Sequence, residues 1–159
     1  MNKIEGKIVG YQVKTKLEPQ LTKLKEGINE NTKRENTLSG RTYKIKPSTG
    51  EDSYYITINN QVVEGKQHPI EIFINSKNIE HFQWVTVITR MLSAVFRKGG
   101  DVHFLVEELS AIYDPIGGYW GKDRVTGKGK QYKSIIHELG DVIEEHLDYT
   151  TSINKLVPE

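Results

Sequence analysis

The chain contains no cysteine. Disulfide staples, thiolate metal sites and thiol radical chemistry are excluded with it. Long apolar runs are missing too. Charges interrupt every apolar stretch within about twenty residues, so no segment reads as a transmembrane helix. The opening "MNKIEGKIVG" lacks the apolar region of a secretory signal, and a cytoplasmic location is expected. An excess of one charge is absent as well: 22 Lys and Arg face 21 Asp and Glu, for a formal net charge of +1. Such a balance creates no bulk field toward nucleic acid. Internal repeats and low-complexity tracts do not occur. What remains is a polar chain of 159 residues with 36% hydrophobic and 27% charged residues. Its length fits one domain with a real core.

The first 37 residues are the least patterned. Residues 4 to 16, "IEGKIVGYQVKTK", read as an edge strand or a pair of short strands, weakened by Gly6 and Gly10. Residues 18 to 37 are polar and poorly periodic, and read as a mobile linker arm. From Arg41 the pattern sharpens. "RTYKIKP" alternates Tyr43 and Ile45 with charged neighbours until Pro47. "SYYITINN" places Tyr54, Ile56 and Ile58 on one face and Tyr55 on the other. After a hairpin-type connection, "IEIFIN" aligns Ile70, Ile72 and Ile74, with Phe73 opposite. Three strands at hairpin spacing, rich in β-branched and aromatic residues, predict an antiparallel sheet.

The second half reads as helices. Ser76 or Asn78 is placed to cap the first. Phe82, Val85, Ile88, Met91, Leu92 and Val95 form its stripe. Trp84, Val87 and Phe96 add apolar surface elsewhere, which predicts burial on more than one face. "RKGGD" ends this helix, with Gly99 at a left-handed position. Asp101 is placed to cap a second helix, striped by Val102, Leu105, Val106, Leu109 and Ile112. A third helix starts near Ser134, with Ile135, Ile136, Leu139, Val142, Ile143 and Leu147 inward. Strands first and helices second predict an α+β fold: an antiparallel sheet of three or more strands from the N-terminal half, packed by about three helices from the C-terminal half. The organisation expected is an N-terminal strand and mobile arm over 1–37, a domain over 38–150 and a tail over 151–159.

Four features carry candidate chemistry. Asn75, Ser76 and Lys77 lie at a strand-to-helix junction, where free N–H groups favour an anion; the same residues also serve as plain caps. Arg97 and Lys98 add charge at the far end of that helix. "GGYWGKDRVTGKGK" combines five glycines with basic residues and the adjacent aromatics Tyr119 and Trp120. Gly117 and Gly118, with Lys122 and Arg124, suit phosphate, and the two aromatics suit stacking on a base. The stretch fits no Walker pattern, and the plainer reading is a flexible surface hairpin. "HELGD" puts His137 and Asp141 on one helical face beside Glu138, a fragment of a zinc-binding pattern that lacks a third ligand. The plainer reading is a solvated acidic surface. The five histidines are too scattered to define a triad. No catalytic residue, metal site or cofactor is therefore expected.

"GRTYKIK", "YYITIN" and "EIFIN", followed by the helix "RMLSAVFRKG" and the short "VEEL", resemble the TSCPD domain. That domain lies near the carboxyl end of adenosylcobalamin-dependent (class II) ribonucleotide reductases. "DPIGGYW" and "IIHELGDVIEEHL" are similar to the small stand-alone component of split class II reductases. The resemblance spans residues 38 to 148. It departs where the family carries cysteines: "GKQYKSIIHELGD" has none, so zinc binding or a thiol relay is not expected there. The resemblance implies an accessory or regulatory protein, not an enzyme on its own, that binds a catalytic reductase subunit or a nucleotide. Two other readings stay open: a protein that self-associates through the apolar 80–96 helix, and a single-stranded nucleic-acid binder using Lys128 and Lys130.

Overall fold

The structure, a computed structural model, describes residues 27–29, 31–48, 50 and 52–156. The strand expected over residues 4 to 16 lies outside the described residues. Three strands form the main sheet: β1 (Ser39–Ile45), β2 (Tyr54–Val63) and β3 (Lys66–Ser76), antiparallel and in sequence order. Three helices follow: α1 (Phe82–Lys98), α2 (Phe104–Ser110) and α3 (Ile135–Asn154). The fold is α+β, as the pattern predicts. A second sheet also forms, a two-stranded hairpin of β4 (Tyr119–Lys122) and β5 (Gly129–Tyr132), inserted between α2 and α3.

Alternation decides which sheet face is buried. Tyr43, Ile45, Tyr54, Ile56, Ile58, Ile70 and Ile72 turn inward, while Tyr55 and Phe73 on the opposite face are each 45% exposed. The β2–β3 turn is set by Glu64 and Gly65, both at positive φ. Two such residues make the primed turn whose twist matches a hairpin. Pro69 is tolerated in β3 because it sits opposite Asn60, where the register slips between Asn59 and Asn60.

Helix α3 supplies the other half of the core. Leu139, Val142, Ile143 and Leu147 pack against the sheet, as their spacing predicts. Ser134 caps it, its hydroxyl accepting from the His137 N–H at 3.0 Å. Helix α1 behaves differently from expectation. Only Leu92, Ser93 and Phe96 are buried, whereas Phe82, Trp84, Val87 and Met91 are exposed. The reason is position: α1 runs along the outer edge of β3 rather than between two layers. The Ser93 hydroxyl accepts from the Ile72 N–H at 3.0 Å and donates to its carbonyl at 3.2 Å. It thus occupies edge groups that would otherwise invite another strand.

Of the segment read as an arm, described residues 28 and 33–35 contact the rest of the domain. Ile28 is buried, and Arg34 makes a two-pronged ion pair with Glu71, both contacts at 2.8 Å. The Gln61 side chain donates to the Lys33 carbonyl and accepts from the Glu35 N–H. Polar side chains near the bulged end of the sheet, Gln61 and Glu71, invisible to a periodicity argument, hold these residues down.

Candidate functional site

Hairpin β4–β5 walls an open concavity lined by several basic side chains. Its turn is built by Asp123, whose Oδ1 accepts from the N–H groups of Val125 and Thr126 and from the Thr126 hydroxyl. Those donors hold the Asp123 carboxyl below the usual carboxylate range. The hairpin read as flexible is thereby an ordered one. Strand alternation then separates the two adjacent aromatics. Tyr119 turns inward and is buried, while Trp120 turns outward and is 66% exposed. They cannot form one stacking platform; Trp120 alone is available.

Beneath the hairpin lies a buried charged cluster. The Tyr119 hydroxyl donates to Glu138 Oε2. Arg124 contacts Glu138 at 3.5 Å and donates to Glu145 at 2.8 Å. Lys130 pairs with Asp141 and, at 3.7 Å, with Asp123. Glu138 and Asp141 are 7% and 8% exposed, so the acidic face read as solvated is in fact interior. Burial raises the Glu138 carboxyl despite its Tyr119 and Arg124 partners. Burial and the neighbouring carboxylate also push the Tyr119 hydroxyl far above its ordinary value. These charges survive inside because each is paired. His137 Nδ1 accepts from the Lys133 N–H at 3.2 Å. Among the described residues no group of three His, Asp or Glu side chains is arranged to hold a metal ion.

Above this cluster opens a cleft of about 630 Å³, lined by Lys44, Lys46, Trp120, Gly121, Lys122 and Arg124, with Glu138 at its base. Three sequence candidates, Trp120, Lys122 and Arg124, meet here. Lys44 and Lys46 join them from the end of β1. They were read only as the charged alternates of "RTYKIKP", and nothing local signalled that the hairpin would close over them. Arg124 is mostly committed to structure. Besides its two carboxylates it donates to the Lys44 carbonyl at 3.3 Å and lies over the Tyr43 ring. Lys44 lies 5.7 Å from the centre of the Tyr55 ring. Lys46 and Lys122 are exposed and have no ion-pair partner among the described residues. Cations and one exposed indole around an open cleft can hold an anion and stack a flat ring.

The other candidates lie elsewhere. Gly117 and Gly118 line a neighbouring depression of about 360 Å³ with Tyr113, Asp114, Gln131 and Lys133. A Cβ on Gly118 would fall 2.0 Å from the Tyr132 carbonyl, so that glycine serves close packing of β4 on β5. Asn75 and Ser76 end β3, paired with Tyr55 and Tyr54, and Lys77 follows. The helix begins only at Phe82, so its free N–H groups lie past this junction. The Asn78 side chain accepts from the His81 N–H in the lead-in turn, and His81 stands at the cap position without a side-chain cap bond. Arg97 and Lys98 close the far end of α1, roughly 25 Å away at the usual helical rise. The eleven candidates thus fall into separate regions, and only the hairpin group converges.

A second buried network marks the other end of α3. His146 Nε2 donates to Asn60 Oδ1 and His146 Nδ1 accepts from the Tyr43 hydroxyl, each at 2.9 Å. Asn60 also donates to Thr150 at 3.1 Å. Burial, then the Arg41 charge, depresses the His146 imidazole to about 4, and burial raises Tyr43 to about 12.

The fold and the cleft together describe a small α+β domain with an open cleft lined by lysines and one tryptophan. Residues 22–147 match the model of the TSCPD domain, and the chain belongs to that family. Comparison with curated proteins and with solved structures gave no match. No helix among the described residues is long and apolar enough to cross a membrane.

Proposed function

We propose that this chain is a non-catalytic accessory or regulatory component related to class II ribonucleotide reductase, and that it binds a nucleotide in the cleft between the end of β1 and hairpin β4–β5. The observation that carries the reading is the convergence of Lys44, Lys46, Lys122 and Trp120 on one open concavity. Lys46 and Lys122 meet the phosphates as point charges, and Trp120 stacks on the base. Arg124 fixes the cleft wall rather than the ligand, because Glu138 and Glu145 hold it from behind. Family membership supports the link to ribonucleotide reduction. A catalytic reductase chain is the protein partner this reading calls for, since 159 residues lacking cysteine supply no thiol radical chemistry of their own.

Calorimetric titration with ribonucleoside diphosphates and deoxynucleoside triphosphates tests the reading. Saturable binding is expected. It should weaken about tenfold for each of Lys46→Ala and Lys122→Ala, the loss expected for one charge-assisted contact. No heat at millimolar nucleotide, or binding indifferent to both substitutions, would reject it.

A further inference from the structure

We infer that α1 is a self-complementary docking surface and that its occupant is a second copy of this chain, packed antiparallel across a two-fold axis. Trp84, Val87, Met91 and Ala94 are all exposed. At about 100° per residue they fall in one strip about 80° wide, roughly opposite the buried Leu92 and Phe96. Their three-and-four spacing is that of a helix-pairing seam. No charge interrupts the strip, and opposite charges flank its two ends: Glu80 in the lead-in turn before Phe82 and Lys98 in the last turn.

This layout matches itself when inverted. A two-fold axis between Val87 and Met91 lays Val87 against the partner's Met91. The large Trp84 then meets the small Ala94, and Glu80 meets Lys98, twice each. An antiparallel arrangement also sets opposite helix-dipole ends side by side. A parallel pairing would stack Trp84 on Trp84 and Lys98 on Lys98. Charge complementarity, size complementarity and isologous symmetry therefore agree on one partner and one orientation. The inference is independent of the nucleotide cleft, which none of these residues lines.

One helix seam is a small interface, so a reversible dimer in the micromolar range is expected. Sedimentation of the full chain over a concentration series should show monomer passing to dimer. Met91→Glu should abolish the dimer while leaving the melting temperature of the monomer unchanged, because the side chain is 64% exposed. Glu80→Lys should weaken the dimer, and Glu80→Lys with Lys98→Glu should restore it. A wild-type monomer at about 1 mM, well above micromolar association, would overturn the inference. So would a dimer that survives Met91→Glu, or a charge exchange that fails to restore pairing.

Discussion

At the scale of single residues, buried polar groups set the pH limits of the fold. His146 is neutral in the native state, held between Tyr43 and Asn60, with its imidazole depressed to about 4. The unfolded chain gains that proton below an ordinary value near 6.5. Stability from this group is therefore fully present above about pH 6.5 and is lost as pH falls toward 4, by on the order of 3 kcal/mol. Urea titrations across that window should show the slope, and His146→Gln should flatten it. Tyr43, raised to about 12, works on the alkaline side: its contribution holds below about pH 10 and fades as pH rises toward 12.

Glu138 offers a second residue-scale expectation. Glu138→Ala strands the buried Tyr119 hydroxyl and removes one of the two carboxylates that pair with Arg124, and should cost about 1–3 kcal/mol in chemical denaturation. Glu138→Gln keeps an acceptor for Tyr119 and should cost less. None of this was legible in the sequence. "HELGD" looks the same whether its acids face water or the interior. The deciding partners, Tyr119, Arg124 and Lys130, come from a hairpin whose docking onto α3 no local pattern encodes.

At the scale of elements, periodicity was informative where one face packs on a core. The strand alternation around Tyr43, Ile56 and Ile72 and the α3 stripe of Leu139, Val142, Ile143 and Leu147 read directly into buried positions. It was only partly informative for α1: Val85, Ile88, Leu92 and Val95 pack on the core, while Phe82 and Met91 of the same stripe, with Trp84 and Val87, face outward. Composition cannot distinguish a helix buried all round from one with a seam left open. The β4–β5 stretch reads as a flexible hairpin because glycine and lysine dominate it; its order comes from Asp123, which fixes the turn through three hydrogen bonds.

The end of α1 gives an element-scale test. Gly99 has φ +77°, and a Cβ there would fall 1.7 Å from the Ile28 carbonyl oxygen. Gly99→Ala must therefore strain the backbone and push residues 27–29 away. A loss of about 1–3 kcal/mol is expected. Amide exchange should quicken in the segment around Ile28 while β1 and β2 keep their protection.

For the whole molecule, the layout separates its tasks. The sheet and α3 form the core, the hairpin closes a basic cleft over β1, and α1 leaves its apolar seam outward along β3. A nucleotide in the cleft and a second copy on α1 would use different surfaces, so neither should displace the other. Nucleotide affinity should accordingly be unchanged in Met91→Glu, which calorimetry can check. The proposed role as a binding component depends above all on Trp120, whose indole is the only aromatic side chain lining the cleft among the described residues. The chain has two tryptophans, so Trp84→Phe leaves Trp120 as sole emitter. Titrating that variant with a deoxynucleoside triphosphate, while following tryptophan emission, tests the central claim directly. Saturable quenching that disappears when Lys46 and Lys122 are both changed to alanine is predicted; emission indifferent to millimolar nucleotide would contradict the account.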